Sequence, residues 1–325
     1  MNMGVYLFLL LFALMFSGMP IALGVGMAAI LTTGIWGQIG LELIFQQYYQ
    51  GVNSFALLAV PLFMLAGELM TRLGLVDDII LLAKLLVGRM RGSLAQINIV
   101  ASVFFATMSG SAVADTAAIG GMLLPAMEKE GYDKEFSVAV TAASSIIGPI
   151  IPPSITMIVY GSLMSNVPTG AMFAAGIVPG VLIGLGEMAL VYYFSRKRNY
   201  PRETKRYTAK EASAIAVRTL PAVLTPVVIV VAIFSGFCSA TACIANIWVL
   251  ITGALYYRRL NLKVFGESVI VAVETAGAIL LLNAAAKPLS YLIAMAQLPT
   301  MISEAFTSFT SSKIVILLLI NVVLL

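Results

Sequence analysis

The chain has 325 residues, of which 60% are hydrophobic and only 10% are charged, and its formal net charge is +4 at pH 7. Soluble domains carry about 25% charged residues, so this composition excludes a soluble protein and predicts an all-α polytopic membrane protein. The basic residues lie in loops between apolar segments, which argues against nucleic-acid binding. Histidine is absent, and Cys238 and Cys243 lie in an apolar stretch, where we expect packing residues rather than a disulfide or a metal pair.

The N-terminal part of the chain predicts spanning segments and one surface helix. Met3 to Trp36 is apolar but contains Gly18-Met19-Pro20. Because about 20 residues span the hydrocarbon core, this is either one long bent helix or two half-helices. Phe55 to Met70 is the second apolar segment. From Thr71 to Gly92 apolar residues recur at helical spacing and charges take the other faces, which predicts an amphipathic helix on the membrane surface or a scaffold arm.

Two adjacent apolar segments between Phe104 and Ser154 are each interrupted by residues that a spanning helix avoids. The first break is Ser109-Gly110-Ser111, followed by Asp115, and the second is Gly148-Pro149, followed by Pro152-Pro153-Ser154. Proline removes a backbone donor and stops or kinks a helix. Lipid tolerates open backbone only where protein buries it or a polar cavity meets it. Either break alone is compatible with an ordinary kink, whereas both together predict a binding site with main-chain ligands.

The basic loops predict the topology of the second half. Ala171 to Phe194 is a span, and Ser195 to Arg218 carries eight Lys and Arg against two acids, which favours the cytoplasm. Leu220 to Phe237 and Cys243 to Tyr257 then form an out-and-back pair. We therefore expect Phe237 to Ala242 on the periplasmic side, with Arg258 to Lys263 returning to the cytoplasm.

The C-terminal part predicts a further interrupted segment and an unfinished one. Val269 to Leu298 is long and broken by Lys287-Pro288. Ile314 to Leu325 is too short to span a bilayer, so we expect the sequence to be truncated. The order of segments predicts an inverted repeat, with residues 1–198 as the first repeat, 199–218 as a cytoplasmic basic loop and 219–325 as an incomplete second repeat. Such repeats with discontinuous helices are the secondary-transporter architecture.

Short stretches, in order and near-continuous from about Phe55 to Arg198, carry a resemblance to a known family. They are FALLAVPLF (55–63), AGELM (66–70), RGSLA (91–95), SGSAVAD (109–115), PAM (125–127), GY (131–132), IGPIIPPS (147–154) and AGIVPG (175–180). The sequence resembles the large membrane subunit of the tripartite ATP-independent periplasmic (TRAP) transporters, in the ion-transporter superfamily. The likeness weakens after Arg218, where Ala240 and Ala242 stand at places that hold Pro and Glu in the family.

The resemblance implies an inverted-repeat, elevator-type transporter of the bacterial inner membrane, with re-entrant hairpins and discontinuous helices moving as one body. It implies sodium-coupled import of an organic acid, such as a C4-dicarboxylate or sialic acid, with sodium as the coupling ion and no other cofactor. The implied partners are a periplasmic solute-binding protein, which delivers the acid, and a small four-helix membrane subunit. Carried over by position, Ser109, Gly148, Ile151 and Pro152 would line the first sodium site.

Other polar residues at membrane depth are candidates for function. Ser111, Asp115 and Ser154 are candidate substrate ligands, although Asp115 could equally ligate an ion or cap the half-helix. For Glu187 and Glu274 we expect interfacial positions or pairing within the bundle. Lys287 could meet a carboxylate or extend to the interface.

Two other functional classes fit the sequence less well. Helices broken near the midplane also suit the filter of a channel, but a surface arm and a repeat suit a transporter better. An intramembrane enzyme is disfavoured because the sequence offers no histidine or paired Asp-rich motif and no evident base for a Ser or Thr nucleophile. A phosphate-binding GxxxxGK[ST] loop is also absent from the sequence, so we expect no ATPase activity.

Overall fold

The computed structural model describes residues 3–37, 39–163, 167–203, 207–234, 238–309 and 312–324. Over these residues the chain is helical with short connections and has no strand, which confirms the all-α expectation. In chain order the helices are α1 Met3–Phe16, α2 Ile21–Trp36, α3 Leu41–Val52, α4 Ala59–Leu73, α5 Leu75–Val87, α6 Ser93–Ser109, α7 Ala112–Asp115, α8 Gly121–Lys129, α9 Lys134–Ser145, α10 Ile155–Leu163, α11 Thr169–Lys197, α12 Ala209–Phe234, α13 Cys238–Ile251, α14 Leu262–Met295, α15 Leu298–Phe309 and α16 Lys313–Leu324. A 3-10 turn, Phe55–Leu58, precedes α4, and π-helical turns at Thr116–Gly120 and Thr252–Tyr256 follow α7 and α13.

Several helices are long and apolar enough to cross a membrane. By length and composition, the described residues contain 4 such segments, Phe55–Leu73, Thr169–Lys197, Ala209–Ile229 and Leu262–Met295. Shorter apolar helices, such as Ser93–Ser109, accompany them. This pattern confirms a polytopic membrane protein.

The chain divides into two compact units, one formed by Met1–Ser54 with Ala278–Leu325 and the other by Phe55–Gly277. In the first unit α1 and α2 are separate helices that pack on each other. Met3 to Trp36 therefore forms two half-helices and not one long bent helix. Their contact belongs to a buried cluster that includes Leu7, Ala29, Ile44 and Leu292. The boundaries at residues 198 and 218 were predicted for sequence repeats, whereas these two units are defined by contacts. The predicted repeats therefore stay a prediction.

The expected interruption at Lys287-Pro288 is wrong, since α14 runs unbroken for 34 residues with Pro288 inside it. Proline cannot bond to the carbonyl four residues earlier, here that of Ala284. Membrane helices tolerate this where neighbouring segments pack closely on the freed group. The Asn283 side chain donates to the Gly51 carbonyl at 2.5 Å, and a Cβ added to Gly51 would lie 3.1 Å from the Ala284 oxygen. This close packing accounts for the intact helix.

Helix α5, the expected surface arm, is covered within the second unit by α6 and α12. Leu75 and Ile79 on its apolar stripe are buried, while Leu86 is 59% exposed. The sequence pattern showed an apolar stripe correctly, but the stripe needs no other subunit to cover its first two turns.

The loops that were predicted to share one membrane face meet at α5. Asp78, only 2% exposed, accepts hydrogen bonds from Arg218 at 3.2 Å and from the Tyr257 hydroxyl at 2.7 Å. Two ion pairs accompany this contact, Lys84–Glu203 at 3.3 Å and Asp77–Arg259 at 3.6 Å. The basic loop before α12 and the turn after α13 therefore lie on the same side of this unit.

The stretch from Phe237 to Ala242, predicted as a periplasmic connection, lies mostly within helix α13. Helix α12 begins at Ala209 and ends at Phe234, and α13 already begins at Cys238. Most of the stretch from Phe237 to Ala242 is therefore helical, while Phe237 itself lies outside the described residues.

Candidate functional site

The first break separates α6 from α7 and turns on Gly110. Helix α6 ends at Ser109, and Gly110 takes φ 60° and ψ 17°, a left-handed conformation that glycine adopts without a Cβ clash. Ser111 follows in an extended conformation, and its hydroxyl accepts a hydrogen bond from the Ala114 amide at 3.3 Å. It therefore acts as the N-cap of the second half-helix, as serine is well suited to do. The helical turns of residues 112–129 pack back on α6, which confirms the expected hairpin.

The second break lies between α9 and α10. After Ser145 the chain forms tight turns in which the Ile147 carbonyl accepts from the amides of Ile150 and Ile151, at 3.0 and 2.9 Å. Ser154 closes the break, since its hydroxyl donates to the Pro149 carbonyl at 2.5 Å and accepts from the Met157 amide at 3.2 Å. Among the described residues, none donates a hydrogen bond to the carbonyl oxygens of Gly148, Ile151 and Pro152.

The two breaks lie against each other. A Cβ added to Gly148 would lie 3.2 Å from the carbonyl carbon of Ser111. A Cβ added to Gly110 would collide with the Pro153 carbonyl oxygen and lie 3.2 Å from the Ile155 amide. Both glycines are therefore needed for the backbones to approach closely, and the fold brings together two stretches that are about 40 residues apart in the chain.

A cleft of about 340 Å³ opens beside the first break. Its polar wall carries Ser109 and Ser111 from the break, Glu68 and Thr71 from α4, and Thr275 from α14. The α4 backbone reaches this wall through Gly67, where an added Cβ would lie 3.4 Å from the Cα of Ser109. The Glu68 carboxylate is held by Arg72 at 2.6 Å. A volume of this size fits a small organic molecule.

The predicted sodium ligands are distributed over both breaks. Ser109 is 3% exposed, and its hydroxyl lies 3.4 Å from the Ser111 amide, which donates to it. Gly148 touches the first break, as described above. Ile151 is 5% exposed, and its side chain packs against Gly180 of α11, which leaves its main-chain carbonyl as the group that could act as a ligand. The assignment of these residues, with Pro152, to a sodium site stays a prediction.

The three candidate substrate residues differ in position. Ser111 lines the cleft and is partly exposed. Ser154 is fully buried, and its hydroxyl is occupied by the Pro149 carbonyl and the Met157 amide. Asp115 has no exposed surface and does not line the cleft. Only Ser111 of the three is therefore placed where a molecule in this cleft would touch it.

Asp115 belongs to a buried polar cluster between α6 and α9. Its Oδ2 accepts hydrogen bonds from Ser102 at 2.8 Å and Ser145 at 2.7 Å. The cluster continues through Ser144, whose hydroxyl donates to the Asn98 side chain at 3.0 Å, and Asn98 in turn donates to Thr141 at 2.8 Å. The Oδ1 atom of Asp115 is buried and has no partner in the part of the chain that the structure describes.

Sequence reasoning missed the partners of Asp115, although a signal was present. Asn98 and Ser102 are four residues apart on α6, as are Thr141 and Ser145 on α9. Residues four apart lie on the same face of a helix, so each apolar helix carries a polar stripe. The sequence could not show that the two stripes face one another across Asp115.

Of the other ionisable residues at membrane depth, Glu187 is partly buried on α11 and lines an apolar cleft of about 420 Å³ with Ile99 and Val191. Its Oε2 atom has no hydrogen-bond partner among the described residues, and no ion pair involves it there. Glu274 is exposed and Lys287 is partly buried. The expectations for these three residues stay predictions.

Comparison with known proteins gives one consistent result. Residues 8–325 match the family described as "Tripartite ATP-independent periplasmic transporter, DctM component". The sialic acid TRAP transporter large permease protein SiaM of Vibrio cholerae is 36% identical over 314 residues, which is 96% of this chain and 73% of that protein. The 2,3-diketo-L-gulonate TRAP transporter large permease protein YiaN of Escherichia coli is 33% identical over 88% of this chain and 67% of its own length. The C4-dicarboxylate TRAP transporter large permease protein DctM of Rhodobacter capsulatus is 28% identical over 98% and 76%, respectively.

These matches extend over both helix breaks and over the part after Arg218, where the resemblance had weakened. The family model and the Vibrio cholerae relative each cover most of the chain, and the helical, apolar fold agrees with them. The chain therefore belongs to the family of the DctM component of tripartite ATP-independent periplasmic transporters, and it is a multi-pass membrane permease rather than an enzyme.

Proposed function

We propose that this permease imports an organic acid across the bacterial inner membrane, driven by a sodium gradient. The observation that carries the proposal is the contact between the two helix breaks, beside a cleft of about 340 Å³. Discontinuous helices at which freed backbone groups meet are the way in which secondary transporters bind coupling ions and substrates together.

The proposed sodium ligands are the Ser109 hydroxyl and the main-chain carbonyls of Gly148, Ile151 and Pro152. Hard cations take oxygen ligands, and these carbonyls receive no hydrogen bond from the described residues. Their lone pairs are therefore available to an ion without the loss of an existing bond. The serine hydroxyl adds a neutral oxygen ligand from the other break.

The proposed substrate is a small carboxylate in the cleft, with Ser111 as a hydroxyl contact. The names of three relatives specify sialic acid, 2,3-diketo-L-gulonate and C4-dicarboxylates, all of which carry at least one carboxylate. The Arg72 guanidinium binds Glu68, which lines the cleft, and also Glu267 at 2.6 Å, so its one positive charge is shared by two carboxylates. We propose a small membrane subunit and a periplasmic binding protein as the partners.

The test is uptake into proteoliposomes that contain the permease and its proposed small membrane subunit, with the proposed binding protein added outside. Labelled carboxylates, including sialic acid and a C4-dicarboxylate, are supplied with an inward sodium gradient or an equal potassium gradient. We expect saturable uptake that requires sodium and the binding protein. Uptake that is equal in potassium, or flux that does not saturate, would exclude sodium-coupled transport and favour a channel.

A further inference from the structure

The buried carboxylate of Asp115 forms a second polar site that the helix breaks do not use. We propose that this carboxylate, with the hydroxyls around it, binds one sodium ion inside the folded permease, apart from the cleft and from the ligands named above. The inference rests on the proposed function only in the choice of sodium as the cation.

The two oxygens of the Asp115 carboxylate have different surroundings. Oδ2 is 2.8 Å from the Ser102 hydroxyl and 2.7 Å from the Ser145 hydroxyl. Oδ1 is equally buried but has no hydrogen-bond partner among the described residues. Buried polar atoms in native proteins almost always have a partner, and an exception calls for an explanation such as an ion.

The negative charge of the Asp115 carboxylate has no basic residue beside it in the described chain. Asp115 has no exposed surface and forms no ion pair with any Lys or Arg in the described chain. An ionised carboxylate without a countercharge is strongly unfavourable in a buried, membrane-embedded position. The groups that bond to the carboxylate are neutral hydroxyls, and Glu187, which interacts with Asp115 electrostatically, is a second acidic group and adds no positive charge. A bound cation would supply the missing positive charge.

Either a proton or a metal ion could neutralise the Asp115 carboxylate, and the two differ in how they use Oδ1. A proton on Oδ2 could neutralise Asp115 but would leave Oδ1 without a partner among the described residues. A cation beside Oδ1 uses this oxygen directly. The Ser102 and Ser145 hydroxyls, at 2.8 and 2.7 Å from Oδ2 of the same carboxylate, are the nearest further oxygens that such a cation could recruit. Sodium accepts such hard oxygen ligands.

The site lies between the two broken segments, so a bound ion would affect how they are held together. Asp115 is four residues beyond Ser111 in the first break, and Ser145 is the last residue of α9 before the second break. A cation bound here would hold the two broken segments together outside the cleft lining. It would therefore stabilise the arrangement in which the breaks touch.

The test is the thermal stability of the purified full chain in detergent, measured against sodium concentration with potassium replacing sodium at constant ionic strength. A ligand that binds only the folded state raises the midpoint of unfolding. We expect sodium to raise the midpoint of the wild type and to raise that of Asp115→Asn less. In the absence of sodium, Asp115→Asn should have the higher midpoint, because it removes an uncompensated charge and keeps the shape. The two titration curves should therefore cross.

Three further variants make the result specific. Ser145→Ala keeps the carboxylate but weakens the site, and it should shift the sodium titration to higher concentration, which also covers the case that Asp115→Asn does not fold. Thr116→Ala, an exposed hydroxyl on the same hairpin, should titrate as the wild type does. Ser109→Ala, at the proposed break site, should retain the part of the sodium shift that Asp115 supplies.

Several outcomes would overturn the inference. If Asp115→Asn is less stable than the wild type by the same amount at all sodium concentrations, Asp115 acts only through hydrogen bonds. If the wild-type midpoint follows pH and not sodium, a proton occupies the site. If Ser109→Ala abolishes the sodium shift and Asp115→Asn keeps it, sodium binds only at the breaks, and then the proposed function stands while this inference fails. In contrast, if sodium shifts the midpoint only through Asp115, this inference stands and the sodium site proposed at the breaks fails.

Discussion

Two serines beside the helix breaks, Ser109 and Ser154, have the same chemistry but different surroundings. Ser109 lines the cleft, and among the described residues its hydroxyl has one long contact of 3.4 Å, with the Ser111 amide, so it has capacity for another ligand. The Ser154 hydroxyl both donates and accepts within its own break and lies outside the cleft lining. Ser109 is therefore suited to binding, and Ser154 is suited to holding the backbone in place.

Substitution Ser109→Ala should raise the sodium concentration needed for uptake and leave membrane levels unchanged. Removing one contact to an ion is worth on the order of 1 kcal/mol or more, which corresponds to about a five- to tenfold change in apparent sodium affinity. The measurement is initial uptake against sodium concentration, normalised to membrane protein, with Thr116→Ala as the control. Wild-type sodium dependence in Ser109→Ala would remove this residue from the proposed site.

Substitution Ser154→Ala, unlike Ser109→Ala, should lower the stability of the protein and leave the sodium dependence of uptake unchanged. The loss of an N-cap and of a buried hydrogen bond lowers stability by about 1–2 kcal/mol, so the unfolding midpoint should fall. The protein that remains folded should show the wild-type sodium dependence. The comparison requires thermal unfolding and sodium-dependent uptake on the same preparations. A shifted sodium requirement with unchanged stability would place Ser154 in the ion site instead.

At the level of elements, the first break depends on Gly110 more than on any serine. Its backbone takes φ 60°, and its missing Cβ leaves room for the Pro153 carbonyl of the other break. A side chain would therefore meet both a conformational penalty and a collision. In contrast, Gly121 lies at the start of α8 in ordinary helical conformation, and a Cβ there would meet nothing within 4 Å.

Substitution Gly110→Ala should destabilise the hairpin by about 1–3 kcal/mol from backbone strain alone and abolish uptake, because the breaks could no longer touch. Gly121→Ala is the matched control. It should retain uptake and gain about 0.5–1 kcal/mol of stability, since alanine suits a helix better than glycine does. Thermal unfolding and uptake of the two variants decide the matter. Normal uptake in Gly110→Ala would refute the need for contact between the breaks.

At the level of the whole molecule, the contacts around α5 determine which loops share a side. Burial, followed by the hydrogen bond to Asp78, raises the pKa of the Tyr257 phenol, which donates this bond in its protonated form. The basic loop and the turn after α13 meet the same helix, which agrees with an even number of crossings between them. The enrichment in Lys and Arg predicts that this shared side is cytoplasmic.

Cysteine labelling tests the orientation. In a background in which Cys238 and Cys243 are replaced by alanine, Lys210→Cys and Lys263→Cys are both exposed positions on the predicted cytoplasmic side. Neither should react with a membrane-impermeant maleimide in intact spheroplasts, and both should react after permeabilisation. Reaction of both in intact spheroplasts would invert the orientation. Reaction of only one would contradict the shared side itself.

Composition and local pattern were sufficient for the class of protein and for the position of the two helix breaks. Apolar length predicted spanning helices, and glycine and proline in SGSAVAD and IGPIIPPS predicted the two breaks, because the backbone chemistry of these residues acts locally. The same local reading placed an interruption at Pro288, where packing on Gly51 keeps the helix intact.

Only the tertiary structure decided which side chains meet. It placed Ser109 on the cleft and Ser154 away from it, covered much of the apolar stripe of α5 within the chain, and surrounded Asp115 with hydroxyls from two other helices. The partners of Asp115 are 13 and 30 residues away along the chain. A helical pattern determines which residues share a face, whereas the facing of two such stripes depends on how whole helices pack, and this is set by the sum of many long-range contacts.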